Sequence, residues 1–283
     1  MGTLNVYKGT DGDYTSGSNW TTTAKPAATD EVVFPSSATG TDITGVNESA
    51  RGLDSFTVEE GCGLGFGTMA VKLQVDPGIF NFAGTKKSFF DLGSNAQTVN
   101  VFNSATASGD ESGLYIIAAH ASNVMNLYKG QVAVEVYPGD VGQFATINVG
   151  YISSKTGDAY LVTGDGLTLA TLNMTGGNVS YNTAITTTTV TMSAGNFYTK
   201  GSGAITTLNV KGGRAYLDSV GLITNLNMFA GTTDFTRTNG ARAVTNINAY
   251  HGSTLLYDKD FVTLTNKLVN ASSGKTKIIQ SAG

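Results

Sequence analysis

The strongest constraint in this chain is an eighteen-residue repeat running from Leu172 to Phe235. Leu172-Asn173-Met174 is followed by Gly177, and the same chemistry returns at Val190-Thr191-Met192 with Gly195, at Leu208-Asn209-Val210 with Gly213 and at Leu226-Asn227-Met228 with Gly231. A fixed period of this kind marks a solenoid, in which each repeat buries its apolar face only by stacking on its neighbours. Apolar and polar residues alternate, Gly intervenes, and alternation resumes through Asn178-Val179-Ser180-Tyr181 and its equivalents. Period-two alternation predicts strands with one face inward, and Gly at the joint admits the positive φ of a sharp corner. Ile185, Ile205 and Ile223 are expected to supply the inward side chain of a third wall.

Looser copies extend the pattern both ways. Phe56, Leu73, Val99, Met125 and Ile147 head coils upstream, and Ile247 and Leu268 head coils downstream. The steps are 17, 26, 26, 22 and 25 residues before the run of 18s, then 21 twice. Ser104 stands where the coil of Val99 would hold its Gly. The expected fold is therefore all-β, a single-stranded parallel β-helix (β-solenoid) of about eleven coils, one per head residue, broad at first and tapering to 18-residue coils. Residues 1–50 read as an N-terminal cap and first strands, and 51–283 as the solenoid, irregular over 51–165 and regular over 166–283. Longer coils should carry their extra residues as loops, as at Ala105 to Ser112. Right-handed winding is expected from the preference of parallel crossovers. The left-handed hexapeptide type also gives eighteen residues per coil, but its small apolar residue at every sixth position is missing.

Two outward columns follow from this alignment. Asn173, Thr191, Asn209, Asn227 and Asn248 share one register, and Ser180, Tyr198, Tyr216 and Asp234 share another. Stacked amides and rings stabilise repetitive β-structure through side-chain hydrogen bonds and ring contacts. A sugar-binding stripe is the functional reading of the Tyr pair.

Only 13% of the residues are charged, against about 25% in an average soluble protein, so Thr, Ser, Asn and Gly must build the surface. A net charge of -4 offers no basic footprint for nucleic acid. The opening MGTLNVYKGTDGDY lacks the parts of a signal peptide, and no stretch approaches the roughly 18 apolar residues of a membrane helix. The expectation is a soluble chain made in the cytoplasm, without nucleic-acid or membrane partners. Cys62, the single cysteine, lies between Gly61 and Gly63 and reads as a small buried filler.

Chemistry-bearing residues are sparse. His120 and His251 belong to remote coils, which argues against a shared metal site. Asp218 and Asp234, with Arg214 and Lys211 nearby, could bind or cleave a polysaccharide, for which hydrolysis needs two carboxyls about 5 to 9.5 Å apart. They fall in different registers and are expected to face different ways as solvated surface residues. Asp158, Asp165, Asp258 and Asp260 read as turn closers. The calcium pattern Gly-Gly-x-Gly-x-Asp fails after Gly176-Gly177, where Asn178 and Val179 follow. Ser273-Gly274-Lys275-Thr276 has Val269 where a phosphate loop needs its first Gly. Asn-x-Ser/Thr triplets at Asn19, Asn47, Asn173, Asn178 and Asn270 are expected from an Asn- and Thr-rich composition. No catalytic, cofactor-binding or metal-binding residue is assigned, and no cofactor is expected.

Residues 13–34 differ from the rest, with the only tryptophan, Trp20, ahead of Pro26, Asp30 and Val32-Val33-Phe34. A large ring beside an open solenoid end suits a cap. With Asn19, these residues resemble the opening of many β-helical proteins, including autotransporter-type adhesins and virion proteins of tailed bacteriophages. The resemblance covers about twenty residues. Adhesins carry a signal peptide and a long passenger, so the missing export signal points to the phage side. The resemblance implies a non-enzymatic virion structural protein, foremost a capsid decoration protein docking on the major capsid protein or other virion proteins, as a homo-oligomer with a trimer favoured. It places the chain on the capsid surface of the virion. The alternative is a tail or tailspike-type host polysaccharide binder or depolymerase, with a host glycan as ligand.

Overall fold

The computed structural model describes residues 2–104, 112–137, 139–150, 159–237, 240–250, 252–269 and 276–281, with backbone alone at 49–51, 267–269 and 281. Residues 105–111 of the expected loop, Asp158, His251, Asn270 and Ser273-Gly274-Lys275 lie outside the described residues. The chain is a parallel β-solenoid of about 10 turns, as the repeat predicts. The described residues contain no α-helix, only one 3-10 turn at Gly17–Asn19.

Two compact units divide the chain, Met1–Phe144 and Ala145–Gly283. The first holds β1 (Leu4–Val6), β2 (Glu31–Phe34), β3 (Asn47–Val58), β4 (Leu73–Phe82), β5 (Ser88–Asp91), β6 (Thr98–Val101), β7 (Leu114–Ile117), β8 (Val124–Leu127) and β9 (Gly130–Val134). One ladder runs β1, β2, β3, β4, β6, β8 and a second runs β4, β5, β7, β9. Parallel pairing thus begins at Leu4, where Leu4 pairs with Glu31. In the register, Val99 lies beside Met125 and Asn100 beside Asn126, the pairing of head triplets read from the sequence despite their uneven spacing.

Trp20 seals the open face of β1. Its ring packs edge-on against Tyr7 at 5.3 Å, Tyr14 at 5.0 Å and Phe34 at 5.6 Å, and its indole N–H donates to the Tyr14 carbonyl at 2.8 Å. The neighbouring backbone occupies the strand edge: Thr21 N–H donates to Val6 O, and Lys8 N–H to Asn19 O. Asp30 accepts from Thr3 N, Ala27 N and the Asn5 amide at 3.0, 2.8 and 2.8 Å. Asn19, Trp20, Asp30 and Phe34 are therefore used in closing the stack, as edge protection requires. Cys62 is fully buried beside Gly61, and burial pushes its thiol pKa up.

β10 (Gly142–Val149) contains the boundary between the units. The second unit follows with β11 (Ala159–Thr163), β12 (Leu167–Met174), β13 (Asn178–Tyr181), β14 (Thr187–Met192), β15 (Asn196–Thr199), β16 (Ile205–Val210), β17 (Arg214–Leu217), β18 (Ile223–Met228), β19 (Gly231–Asp234), β20 (Arg242–Ala249), β21 (Ser253–Asp258), β22 (Val262–Val269) and β23 (Lys277–Ser281). Odd strands β11 to β23 form one wall and even strands β12 to β22 another. Leu172, Val190, Leu208, Leu226 and Ile247 stack in one inward column, all essentially inaccessible to solvent.

The third wall differs from expectation at one place. Ile205 and Ile223 are buried, but Ile185 is exposed, and Thr187 pairs with Ile205 in the inward position. A buried hydroxyl is tolerated there because the Tyr181 hydroxyl hydrogen-bonds to it.

The Asn column forms as read. Asn173 donates to Asn148 at 2.9 Å, Asn209 to Thr191 at 3.2 Å, Asn227 to Asn209 at 2.9 Å and Asn248 to Asn227 at 2.7 Å. The first unit has the same device, with Asn81 donating to Thr57, Asn100 to Asn81 and Asn126 to Asn100. A further column, Asn225, Asn246 and Asn266, was not read from the sequence. At the corner, Gly213 has φ +75, and a Cβ there would lie 2.4 Å from the Gly195 carbonyl oxygen. The repeat Gly is thus required both by its dihedral and by close backbone approach.

Candidate functional site

The outward face of β13, β15, β17 and β19 gathers a cluster of charged and aromatic side chains in the second unit. Strand alternation sends Arg214, Tyr216 and Asp218 to this face, because Ala215 and Leu217 between them point into the core. The column Ser180, Tyr198, Tyr216, Asp234 is observed as read. Tyr198 and Tyr216 stack with centroids 4.6 Å apart and planes 1° from parallel. The guanidinium of Arg214 sits 4.7 Å from the Tyr216 ring centroid and that of Arg237 sits 5.0 Å from it, a range in which the ring face attracts a cation.

Both carboxylates join this group, which corrects the expectation that they are solvated and face apart. Asp234 accepts from Arg214 Nη2 at 2.7 Å, from Thr236 N at 3.0 Å and from Thr236 Oγ1 at 2.7 Å. Asp218 faces Arg237 at 3.7 Å. Their registers do differ: Tyr216 lies beside Asp234, which puts Asp218 two positions further along the same face. Arg237, reached through the longer 21-residue step, folds back to pair with Asp218, and Arg242 acts on Asp218 through its charge alone. Arg242 is buried, donating to Gly221 O at 2.7 Å and Ser219 Oγ at 2.8 Å. Burial pushes its pKa down to about 10, so it stays charged at neutral pH.

The two acids are tuned apart. Burial raises the Asp218 carboxyl; Arg237 opposes this and the Asp234 charge adds to it, leaving it above the ordinary carboxylate range. Burial also raises Asp234, but the hydrogen bonds from Thr236 and Arg214 outweigh it and hold the group low. Separated acid and base carboxyls are the pattern of hydrolytic sites. Here, however, both oxygens of Asp234 are engaged by Thr236 and Arg214, whereas Asp218 Oδ1 has no hydrogen-bond partner.

The other residues singled out in the sequence stay apart from this face. Asp258 closes its turn by accepting from Asp260 N at 2.9 Å. His120 does the same through Nδ1 and Ser122 N at 3.1 Å. Among the described residues no group of three or more His, Cys, Asp or Glu comes together.

The first unit has a separate feature that sequence reasoning missed. A cleft of about 390 Å³ is lined by Val46, Ala70, Val71, Lys72, Gln74, Asp91 and Ile117, among others. Lys72 bonds Asp140 at 3.1 Å beside it, and Met69, Val71 and Val141 are more than half exposed. Glu135, at φ +57, is buried nearby. Burial raises its pKa to about 8; the Ala118 N–H lowers it, Asp140 and Asp91 raise it, and Lys72 lowers it. A glutamate following Ala133-Val134 gives no sign of such burial, because the signal is a local backbone reversal.

Fold and site together define a β-solenoid with an aromatic, arginine-rich lateral face. No protein-family model matches the chain, and no curated protein or solved structure matches it significantly.

Proposed function

We propose that this chain is a non-enzymatic structural protein of a tailed-phage virion, a capsid decoration protein that docks on the major capsid protein as a homo-oligomer, with a trimer favoured. The observation that carries the reading is the use of the repeated outward registers: Asn columns in both units bind coil to coil, so the lateral surface serves the stack itself. The residues that resemble phage virion proteins form the Trp20 cap, consistent with a shared way of starting such a stack. The exposed Met69, Val71 and Val141 of the first unit supply an apolar docking patch. Mass spectrometry of purified particles should find the chain in fixed ratio to the major capsid protein. Particles that infect normally and lack it would overturn the reading.

A second reading, a tail-type host polysaccharide binder or depolymerase, is favoured by the Tyr198–Tyr216 face with its two arginines and two acids. Binding is the stronger form, since Asp234 is buried and held by three hydrogen bonds from Arg214 and Thr236, away from any water it would have to activate. A depolymerase would release oligosaccharide from host capsule or lipopolysaccharide and lose that activity in Asp218→Ala.

A further inference from the structure

On the Tyr198–Tyr216 face the acids lie beneath and the cations lie outside. The side chains of Asp234 and Asp218 are 4% and 18% exposed, whereas their partners Arg214 and Arg237 are 43% and 52% exposed. Lys200, close enough to lower the Asp218 pKa by its charge, is exposed as well. The three exposed cations, Arg214, Arg237 and Lys200, meet two carboxylates, an excess of one positive charge on a chain whose net charge is -4, with the buried Arg242 adding to it from beneath. The face presented to solvent is therefore positive although the protein is acidic.

The two exposed arginines are also held in place. Both guanidiniums lie over the Tyr216 ring, and a cation–π contact of this kind limits the rotamers that an arginine would otherwise lose on binding. Arg214 commits Nη2 to Asp234 and its Nε is buried, so it offers the face its charge and not a free fork of donors. Arg237 stands 3.7 Å from Asp218, too far for a hydrogen bond, so its fork of donors remains available. Around them, Asn178 and Asn196 form an amide pair in the column that continues into Arg214. An oriented guanidinium recognises a planar anion through two parallel hydrogen bonds, and amides and tyrosine hydroxyls suit the hydroxyls of a sugar ring.

We propose that this face binds an anionic saccharide, a glycan bearing carboxylates, with Arg237 taking the carboxylate, Arg214 and Lys200 adding charge, and Tyr198, Tyr216 and Asn196 contacting the sugar. This rests on the polysaccharide-binding reading and supplies its ligand class; the capsid reading is independent of it.

The test uses the full chain and two probes with the same backbone, tri-galacturonate and its methyl ester. Calorimetric titration should show binding of the acid form that weakens as salt rises, with the ester at least about ten-fold weaker, the factor that 1.4 kcal/mol of lost ion pairing represents. Arg237→Gln and Lys200→Gln, both at exposed positions, should each weaken acid binding several-fold while leaving the melting temperature unchanged. Amide chemical-shift changes should map to Asn196–Thr199 and Arg214–Leu217. Equal binding of acid and ester would overturn the anionic inference and leave the glycan reading standing. No shift changes on this face with either probe at millimolar concentration would overturn both.

Discussion

Replacing Gly213 by Ala tests the geometry of the repeat most directly. Gly213 has φ +75, a conformation that costs an L-residue about 1–2 kcal/mol. The new Cβ would also lie 2.4 Å from the Gly195 carbonyl oxygen, which accepts the Arg214 N–H at 3.0 Å. Relieving that clash means moving one coil off the next, an overpacking cost of about 1–3 kcal/mol. The expected loss is the sum, about 2–5 kcal/mol. Gly252 is the control, with φ +84 and no atom within 4 Å of a built Cβ. Gly252→Ala should lose only the dihedral part, about 1–2 kcal/mol. Urea unfolding followed by far-UV circular dichroism measures both, and amide exchange at Arg214 and Thr232 reports whether the Gly213 coil opens locally, as stacked repeats allow. Equal losses in the two variants would refute close coil-to-coil approach as the reason for the repeat Gly.

Three further outcomes are expected. Asn227→Ala removes two ladder bonds, to Asn209 and from Asn248, and should cost about 1–3 kcal/mol in the same unfolding assay; Asn227→Thr should cost less, since Thr191 already serves in that column. Trp20→Ala should cost about 3–5 kcal/mol, with exchange protection falling most at Tyr7 and Thr21. Glu135 has a folded pKa raised from 4.5 to about 8, so the folded state holds a proton that the unfolded state releases. Its stabilising effect is complete below about pH 4.5 and is lost as pH rises to about 8, with a slope of at most about 1.4 kcal/mol per pH unit. Glu135→Gln should flatten that slope; an unchanged slope would exclude Glu135 as its source.

The inward columns were legible because their chemistry recurs at fixed offsets: Leu172, Val190, Leu208 and Leu226 need no tertiary information to be aligned. The uneven upstream coils were legible for the same reason, since the Asn100 and Asn126 triplets stay intact while the loops between them vary. Ile185 misled because identity was followed where register decided. Counting back eighteen residues from Ile205 reaches Thr187, and the hydroxyl partner that makes Thr187 acceptable, Tyr181, is six residues away and belongs to another wall. Glu135 was illegible because alternation breaks at its positive φ.

The lateral face shows why a solenoid separates the readable from the unreadable. Asn178 and Asn196 bond one another, and the same column then continues with Arg214. An Asn in that register recognises the next coil; an Arg reaches past it to Asp234 and to the ring of Tyr216. The step of 21 residues between Leu226 and Ile247 inserts three residues beyond the repeat, and Arg237 lies in the turn so enlarged. Self-recognition recurs with the period and is visible in it. The arginine cluster is completed where the period breaks, by Arg237, a residue that the alignment of coils does not place beside Tyr216. A ligand-binding face on such a scaffold is therefore to be sought where the ladder chemistry changes, and Arg214, Tyr216 and Arg237 mark that place.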